Sequence, residues 1–419
     1  MNKKDYWIGL LSGLLISVFI VCCVLCGRMF LAPVDKYEQS SAQASGSSGG
    51  RASSIGRVNS DSDEFDDEVI EKINLLKSAI EYYYVEDLDE DVLADGLYSG
   101  LMDSLGDPYA EYYTPDQWIA MQNSTEGIYY GIGAYMKKDT VTGYPQITGI
   151  IRDTPAEEAG ILIDDYIYEV DGTDVFDMNL SDVTSMIKGP EGTTVMLTII
   201  RPSTGEELEM TLERRKVETP TVEYKMLEGN IGYISIAEFD TVTVDQFAEA
   251  LATVKGNGME GLILDLRGNP GGSLSAVVEI ARMLLPEGLI VYTEDKYGER
   301  NEYSCDGKRC IDVPMIVLVN GGSASASEIL AGAIKDYGIG TLLGTTTYGK
   351  GIVQRLIALD DGSAIKLTVS HYYTPLGNDI HKIGIVPDIE LEFDADAYKE
   401  DETDNQLERA IELLQRKMQ

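Results

Sequence analysis

Histidine is nearly absent from this chain: His371 and His381 are the two among 419 residues, which leaves little room for imidazole chemistry. Cysteine is scarce and badly placed for metal binding. Cys22, Cys23 and Cys26 fall inside an apolar run and Cys305 and Cys310 lie far downstream, so no ligand array can be assembled and no metal is expected. Basic residues are outnumbered as well. With 33 Lys and Arg against 71 Asp and Glu the formal net charge is −38, a balance that repels phosphate backbones and argues against nucleic acid as a partner. The remaining composition is ordinary: 44% hydrophobic and 25% charged residues argue against bulk disorder, and 419 residues can hold two or three domains.

From Trp7 to Gly27 the chain runs without a charge, long enough for a helix to cross the hydrocarbon layer, and Lys3 and Lys4 precede it. That order predicts a single-pass cell-membrane protein with a cytoplasmic amino terminus and everything after residue 32 outside. A cleaved signal peptide is the competing reading, but Arg28 follows the run and no small-x-small site closes it. Residues 37–66 are rich in Ser, Gly and acid and read as a tether. Outside the cell, Cys305 and Cys310 could join in a disulfide across Asp306–Arg309 or remain free thiols; both readings stand.

Between Asp67 and Gln122 apolar residues recur at helical spacing, first Val69, Ile73, Leu76 and Ile80, then Val92, Leu93, Leu97, Leu101 and Leu105. A small helical packing or dimerisation module is expected there. From Gly127 the pattern changes to short strands punctuated by Gly, Asp and Pro. The order of YYGIGAYM (129–136), ITGIIRDTPAEEAGILIDDYIYEVDGTDV (147–175) and DVTSMIKGPEGTTVMLTIIR (182–201) resembles a PDZ domain. The resemblance implies that Gly131, Ile132, Gly133 and Ala134 turn amides toward a peptide carboxylate while the peptide adds as a strand. A plain β barrel whose glycines only serve turns is the alternative. After Glu218, NIGYISIA (230–237), a helix over 244–255 and GLILDL (261–266) give strand, helix, strand, and hence a layered α/β core.

Three later segments could carry chemistry. Residues 262–285 read as a strand, a Gly-rich turn and a helix, whose exposed amides suit a phosphate or an oxyanion. Residues 315–338 (MIVLVNGGSASASEILAGAIKDYG) place three serines alternating with alanines before a helix, where any one serine is by default a helix cap. Glu328, three residues after Ser325, reads as a solvated or capping acid. The third segment, GTTTYGKGIVQ (344–354), nearly spells a nucleotide-binding loop, but Gly351 stands where Ser or Thr must follow Gly-Lys, and strand-like alternation follows in place of a helix. A lysine flanked by glycines has another use: burial that brings its pKa from about 10.4 to about 7 or 8 makes it a general base. Gln354, four residues beyond Lys350, could orient that amine or be an ordinary surface glutamine.

Taken together, DLRGNPGG (265–272), VNGGSASASEI (319–329), YGKGIVQ (348–354) and YYTPLGNDIHKIGIVPDIE (372–390) resemble the carboxyl-terminal processing peptidases, serine endopeptidases with a Ser/Lys dyad and an embedded PDZ domain. The resemblance implies a multidomain α/β protein whose core is like the crotonase/Clp fold. It makes Ser325 the nucleophile, Lys350 the base and Gln354 the supporting amide, with Gly271 and Ala326 as oxyanion donors and Gly272 as the alternative to Gly271. No cofactor is implied. Substrates would be proteins or peptides with accessible carboxyl-terminal tails, and the amphipathic helix at 405–419 suggests either a homodimer through terminal helices or a helix packed on its own monomer. Where relatives carry an arginine between the PDZ domain and the core, this chain has Lys188, which lacks the planar fork, so a gating role and a plain surface lysine both stand. A His371 or His381 base, and a catalytically inactive PDZ scaffold, are the rival readings. The expected divisions are 1–35 (cytoplasmic tip and anchor), 36–66 (linker), 67–122 (helical module), 123–215 (PDZ domain), 216–395 (peptidase core) and 396–419 (carboxyl-terminal helix).

Overall fold

The computed structural model describes residues 67–419. No helix among them is long and apolar enough to cross a membrane. The expected anchor at 7–27 and tether at 37–66 lie outside the described residues. The described chain divides into two compact units, one formed by residues 119–353 and 369–419, the other by 67–118 with 354–368.

The second unit begins with α1 (Asp67–Tyr83), α2 (Glu90–Asp103) and β1 (Glu111–Tyr113). Asp89 caps α2, its carboxylate accepting from the N–H groups of Asp91 and Val92. Neither helix buries a residue, and the stripe formed by Val69, Ile73 and Leu76 is exposed. Helical periodicity therefore forms the helices without supplying a core beneath them.

In the first unit, α3 (Pro115–Glu126) leads into β2 (Ile128–Gly131), β3 (Ala134–Lys138), β4 (Pro145–Ile150), α4 (Pro155–Glu158), β5 (Tyr166–Val170), β6 (Thr173–Asp174), α5 (Leu180–Ile187), β7 (Thr194–Arg201) and β8 (Glu206–Glu213). Strand β9 (Arg215–Glu218) pairs antiparallel with β2 and closes the module. Its sheet has the order β3-β4-β5-β7-β8, with β3 at an open edge. Val195, Leu197 and Ile199 alternate along β7 into one small core with Ile147, Ile167 and Val170. Buried Arg214 donates to the carbonyls of Met186, Ile187 and Thr194, which fastens the end of α5 to β7.

The larger core follows: β10 (Val222–Leu227), β11 (Ile231–Ile236), α6 (Thr241–Gly256), β12 (Gly261–Asp265), α7 (Leu274–Ala281), β13 (Glu287–Asp295), β14 (Arg300–Asp306), β15 (Met315–Val319), α8 (Ala326–Tyr337), β16 (Gly340–Gly344), β17 (Ile352–Ala358), β18 (Ala364–Tyr373), β19 (Ile389–Glu390), α9 (Ala395–Asp401) and α10 (Asn405–Lys417), with the part of β17 and β18 between 354 and 368 belonging to the second unit. Its main sheet runs β10-β11-β12-β15-β16-β19, parallel from β11 onward. Strands GLILD and MIVLV are buried at every position, as central parallel strands covered on both faces must be. Phe247, Val277, Leu284, Leu330 and Ile334 pack with Leu262, Leu264 and Val317. On the other face, Ala410 and Leu414 of α10 pack on Ile231, Ile263, Ile316 and Leu318. The amphipathic terminal helix thus spends its apolar side on its own core. Arg267 fastens its start by bridging Asp265 and Asp404, at 2.6 and 2.8 Å.

This topology explains why three separated motifs meet. Asp265 pairs with Leu318 and Val319 with Gly344, so neighbouring parallel strands β12, β15 and β16 end side by side. The Gly-rich turn, the serine segment and the Gly-Lys-Gly loop all leave from those carboxyl ends, the usual place for a site on a parallel sheet.

Candidate active site

Of the three alternating serines, two are consumed by structure. Ser323 Oγ donates to the Leu266 carbonyl at 2.7 Å and Ser327 Oγ to the Asn269 carbonyl at 2.9 Å, both residues being fully buried. Ser325, between them, is half-buried, and among the described residues its hydroxyl donates to no carbonyl. It stands at the start of α8 with φ 52° and ψ −113°, a left-handed conformation that a side-chain-bearing residue holds only when its surroundings impose it.

Asn269, fully buried, knits the glycine turn to this serine. Its carbonyl accepts from the Ala324 N–H at 3.0 Å, its Nδ2 donates to the Ile236 carbonyl, and its Oδ1 accepts from the Gly271 N–H at 2.8 Å. The last bond commits Gly271. Among the described residues no hydrogen bond occupies the N–H of Gly272 or of Ala326, which leaves both open to an incoming acceptor. Phe239 braces the turn through its N–H to Gly271 and its carbonyl to Ser273.

Glu328 does more than solvated capping. It is wholly buried, and each of its oxygens accepts two bonds: Oε1 from Thr347 Oγ1 at 2.6 Å and Gly349 N–H at 2.7 Å, Oε2 from Ser325 N–H at 2.9 Å and Lys350 N–H at 2.8 Å. One carboxylate thereby joins the segments carrying Ser325 and Lys350, across 22 positions of sequence in the latter case. Ser-x-x-Glu before a helix was the sequence signal, a capping box, but spacing alone could not show the far partners. Lys350 is itself buried between Gly349 and Gly351, whose close packing on 381–384 admits no side chain. Gln354 is buried rather than a surface glutamine, and its Nε2 donates to Thr368 Oγ1 at 3.3 Å.

Two carboxyls escaped sequence reasoning. Burial pushes Glu238 up to about 8, with the charge of Asp240 adding to it, and burial pushes Asp240 up to about 7. They flank Phe239, and nothing in the sequence distinguishes them from surface acids. The two histidines stack edge to face with centroids 5.3 Å apart; among the described residues neither bonds to Ser325, and His381 Nδ1 is buried with no partner. Cys305 and Cys310 are free thiols, the first buried against the carbonyl of Leu285, the second exposed.

In the smaller domain, Gly133 has φ 83°, and a Cβ there would strike Thr154 at 2.3 Å, so the loop requires glycine. The carbonyls of Ile132 and Gly133 accept from Ala156 and Ile151, which fixes the 131–134 loop beside the open edge of β3. Lys188 follows α5 with its ammonium 4.9 Å from the Tyr129 ring centroid, and desolvation holds it below the ordinary lysine value. It makes no ion pair among the described residues.

Fold and site together define a serine peptidase with a PDZ domain. The comparisons agree: the model of Peptidase family S41 matches residues 230–391, that of the PDZ domain 146–201, and that of the activating protease CtpB N-terminal domain 29–116. The carboxyl-terminal-processing protease of Synechocystis sp. is 37% identical over 320 residues, 75% of each chain. Carboxy-terminal processing protease CtpA of Bacillus subtilis is 34% identical over 359 residues, 83% of this chain and 76% of that one. Among solved structures, a photosystem II D1 C-terminal processing protease is 33% identical and covers 76% of this chain and 86% of its own, with a TM-score of 0.45. The chain belongs to the carboxyl-terminal processing peptidases of family S41.

Proposed function

We propose that Ser325 and Lys350 form the hydrolytic dyad of a membrane-anchored peptidase working outside the cytoplasm. The observation that carries this reading is the shared carboxylate oxygen: Glu328 Oε2 accepts from the N–H of both residues. Ser325 Oγ attacks a peptide carbonyl while neutral Lys350 takes its proton. The N–H groups of Gly272 and Ala326 hold the oxyanion, and the lysine then protonates the leaving amine. Water repeats the sequence to release the acyl group. Gln354 keeps the supporting role that the family resemblance implies, and its Nε2 donates to Thr368 Oγ1.

The open edge of β3 and the 131–134 loop receive the substrate's carboxyl-terminal tail as an added strand. Lys188 lies on the same module, and its ammonium, which makes no ion pair among the described residues, suits a carboxylate, which supports a gating role on tail binding. Residues 7–27 anchor the chain, with Lys3 and Lys4 on the cytoplasmic side. The exposed stripe of α1 supports pairing of two chains there, since α10 is already packed.

The test uses the full chain on an unstructured peptide with a free carboxyl terminus. Wild type should cleave it, while Ser325→Ala and Lys350→Ala should lose cleavage and keep tail binding. Cleavage by Lys350→Ala at the wild-type rate would remove the base assignment. Light scattering of the full chain should give twice the monomer mass, falling to one when Ile73 and Leu76 become Ser.

A further inference from the structure

Tyr372 belongs to the closing YYTP segment and is 1% exposed. It sits in β18 opposite Thr293 of β13, so its backbone is fixed on a rigid element. Two bonds leave it in different directions. Its phenolic O–H donates to the carbonyl of Ser325 at 3.0 Å, and its N–H donates to the carbonyl of Gly351 at 3.1 Å. Burial, with the charge of Glu328 adding to it, raises its pKa well above the ordinary tyrosine value, so the phenol remains a donor throughout the working range.

Ser325 has φ 52°, and such a backbone persists only where the peptide groups on either side are held. Glu328 holds the N–H side. On the carbonyl side the first turn of α8 supplies the N–H groups of Glu328 and Ile329, which fix the carbonyl relative to the helix alone. Tyr372 is the donor that ties that carbonyl to a different element, and the same residue holds the carbonyl next to Lys350.

We infer that Tyr372 is a positioning residue for the reaction: it sets the angle at which Ser325 leaves the helix and keeps the serine in register with the Lys350 segment. This rests on the Ser325/Lys350 reading. It is distinct from packing, because a phenylalanine would fill the same space and lose the O–H alone. It is distinct from satisfying a buried carbonyl, because the Ser325 carbonyl keeps its two helical donors.

The experiment compares full-length wild type, Tyr372→Phe, Tyr373→Phe and Ser325→Ala on the same peptide, with melting temperature and the rate of phosphonylation by a fluorophosphonate. Tyr372→Phe should lower kcat about 10- to 100-fold at unchanged KM, since small misplacement of reacting groups costs factors of that order. Phosphonylation should slow by the same factor, with melting within about 2 °C of wild type. Tyr373→Phe should match wild type. A Tyr372→Phe enzyme at the wild-type kcat, one whose loss lies in KM, or one that melts more than about 10 °C lower would each overturn the inference. Cleavage by Ser325→Ala would instead overturn the dyad reading, so the two failures separate.

Discussion

Gly271 lies directly against Ser325: a Cβ at Gly271 would fall 2.7 Å from Ser325 Cβ, 2.7 Å from the Ala324 carbonyl oxygen and 2.9 Å from the Ala326 nitrogen. The glycine turn is therefore shaped to the serine, and its φ of 106° is one that a side chain rarely adopts. Gly271→Ala should lower kcat/KM by a hundredfold or more and cost on the order of 2 kcal/mol of stability. Steady-state kinetics and urea unfolding measure the two, and an alanine variant with wild-type kinetics would show that the turn tolerates displacement.

The three serines should part company on mutation. Ser325→Ala should abolish cleavage at unchanged stability, since that hydroxyl supports no carbonyl. Ser323→Ala and Ser327→Ala each remove a buried bond and leave a buried carbonyl with less, so each should cost about 1–3 kcal/mol. Both should keep most of their kcat. Comparing unfolding midpoints with rates for the three variants checks the division.

Glu328→Gln exchanges an oxygen that accepts two bonds for an amide group that donates. Two of the four donors facing it must then lose their acceptor, whichever way the amide turns. A loss of about 3 kcal/mol or more, with cleavage reduced in parallel, is expected from thermal unfolding and kinetics. A stable and active Glu328→Gln protein would mean that the four bonds are dispensable.

Glu238 and Asp240 give stability a distinct pH dependence. Their pKa values are pushed up to about 8 and about 7, so the folded state holds protons that the unfolded state has already released. Their contribution is greatest below the ordinary carboxyl range. It falls as pH rises through about 7 and 8, and changes no further above that. Glu238→Gln should therefore stabilise the protein at pH 8 by on the order of 1–2 kcal/mol, discounting for partial exposure, with little effect at pH 5. Unfolding at those two pH values tests the sign, and an equal effect at both would refute it.

Much was written locally in the chain. Strand cores such as GLILD and MIVLV, the switch from helical to strand periodicity near Gly127, and the glycine, serine and Gly-Lys-Gly motifs are short-range patterns, and each reappears at its expected place in the fold. Burial and partnership were not legible in the same way. Sequence read Glu328 as a solvated or capping acid, left Gln354 ambiguous, preferred Gly271 to Gly272 as oxyanion donor and let the terminal helix either dimerise or pack on its own core; it passed over the roles of Tyr372 and Glu238. Each of those depends on what another segment brings close. A carboxylate becomes a four-bond junction when strands β15 and β16 end together, and it is the hydroxyls of Ser323 and Ser327, on either side of Ser325, that the carbonyls of Leu266 and Asn269 claim. Periodicity and motif spacing fix which residue types are offered to the core, because they act through the backbone a few residues away. Which of those residues loses its water, and to whom it then bonds, follows from the parallel sheet that gathers distant turns at one end.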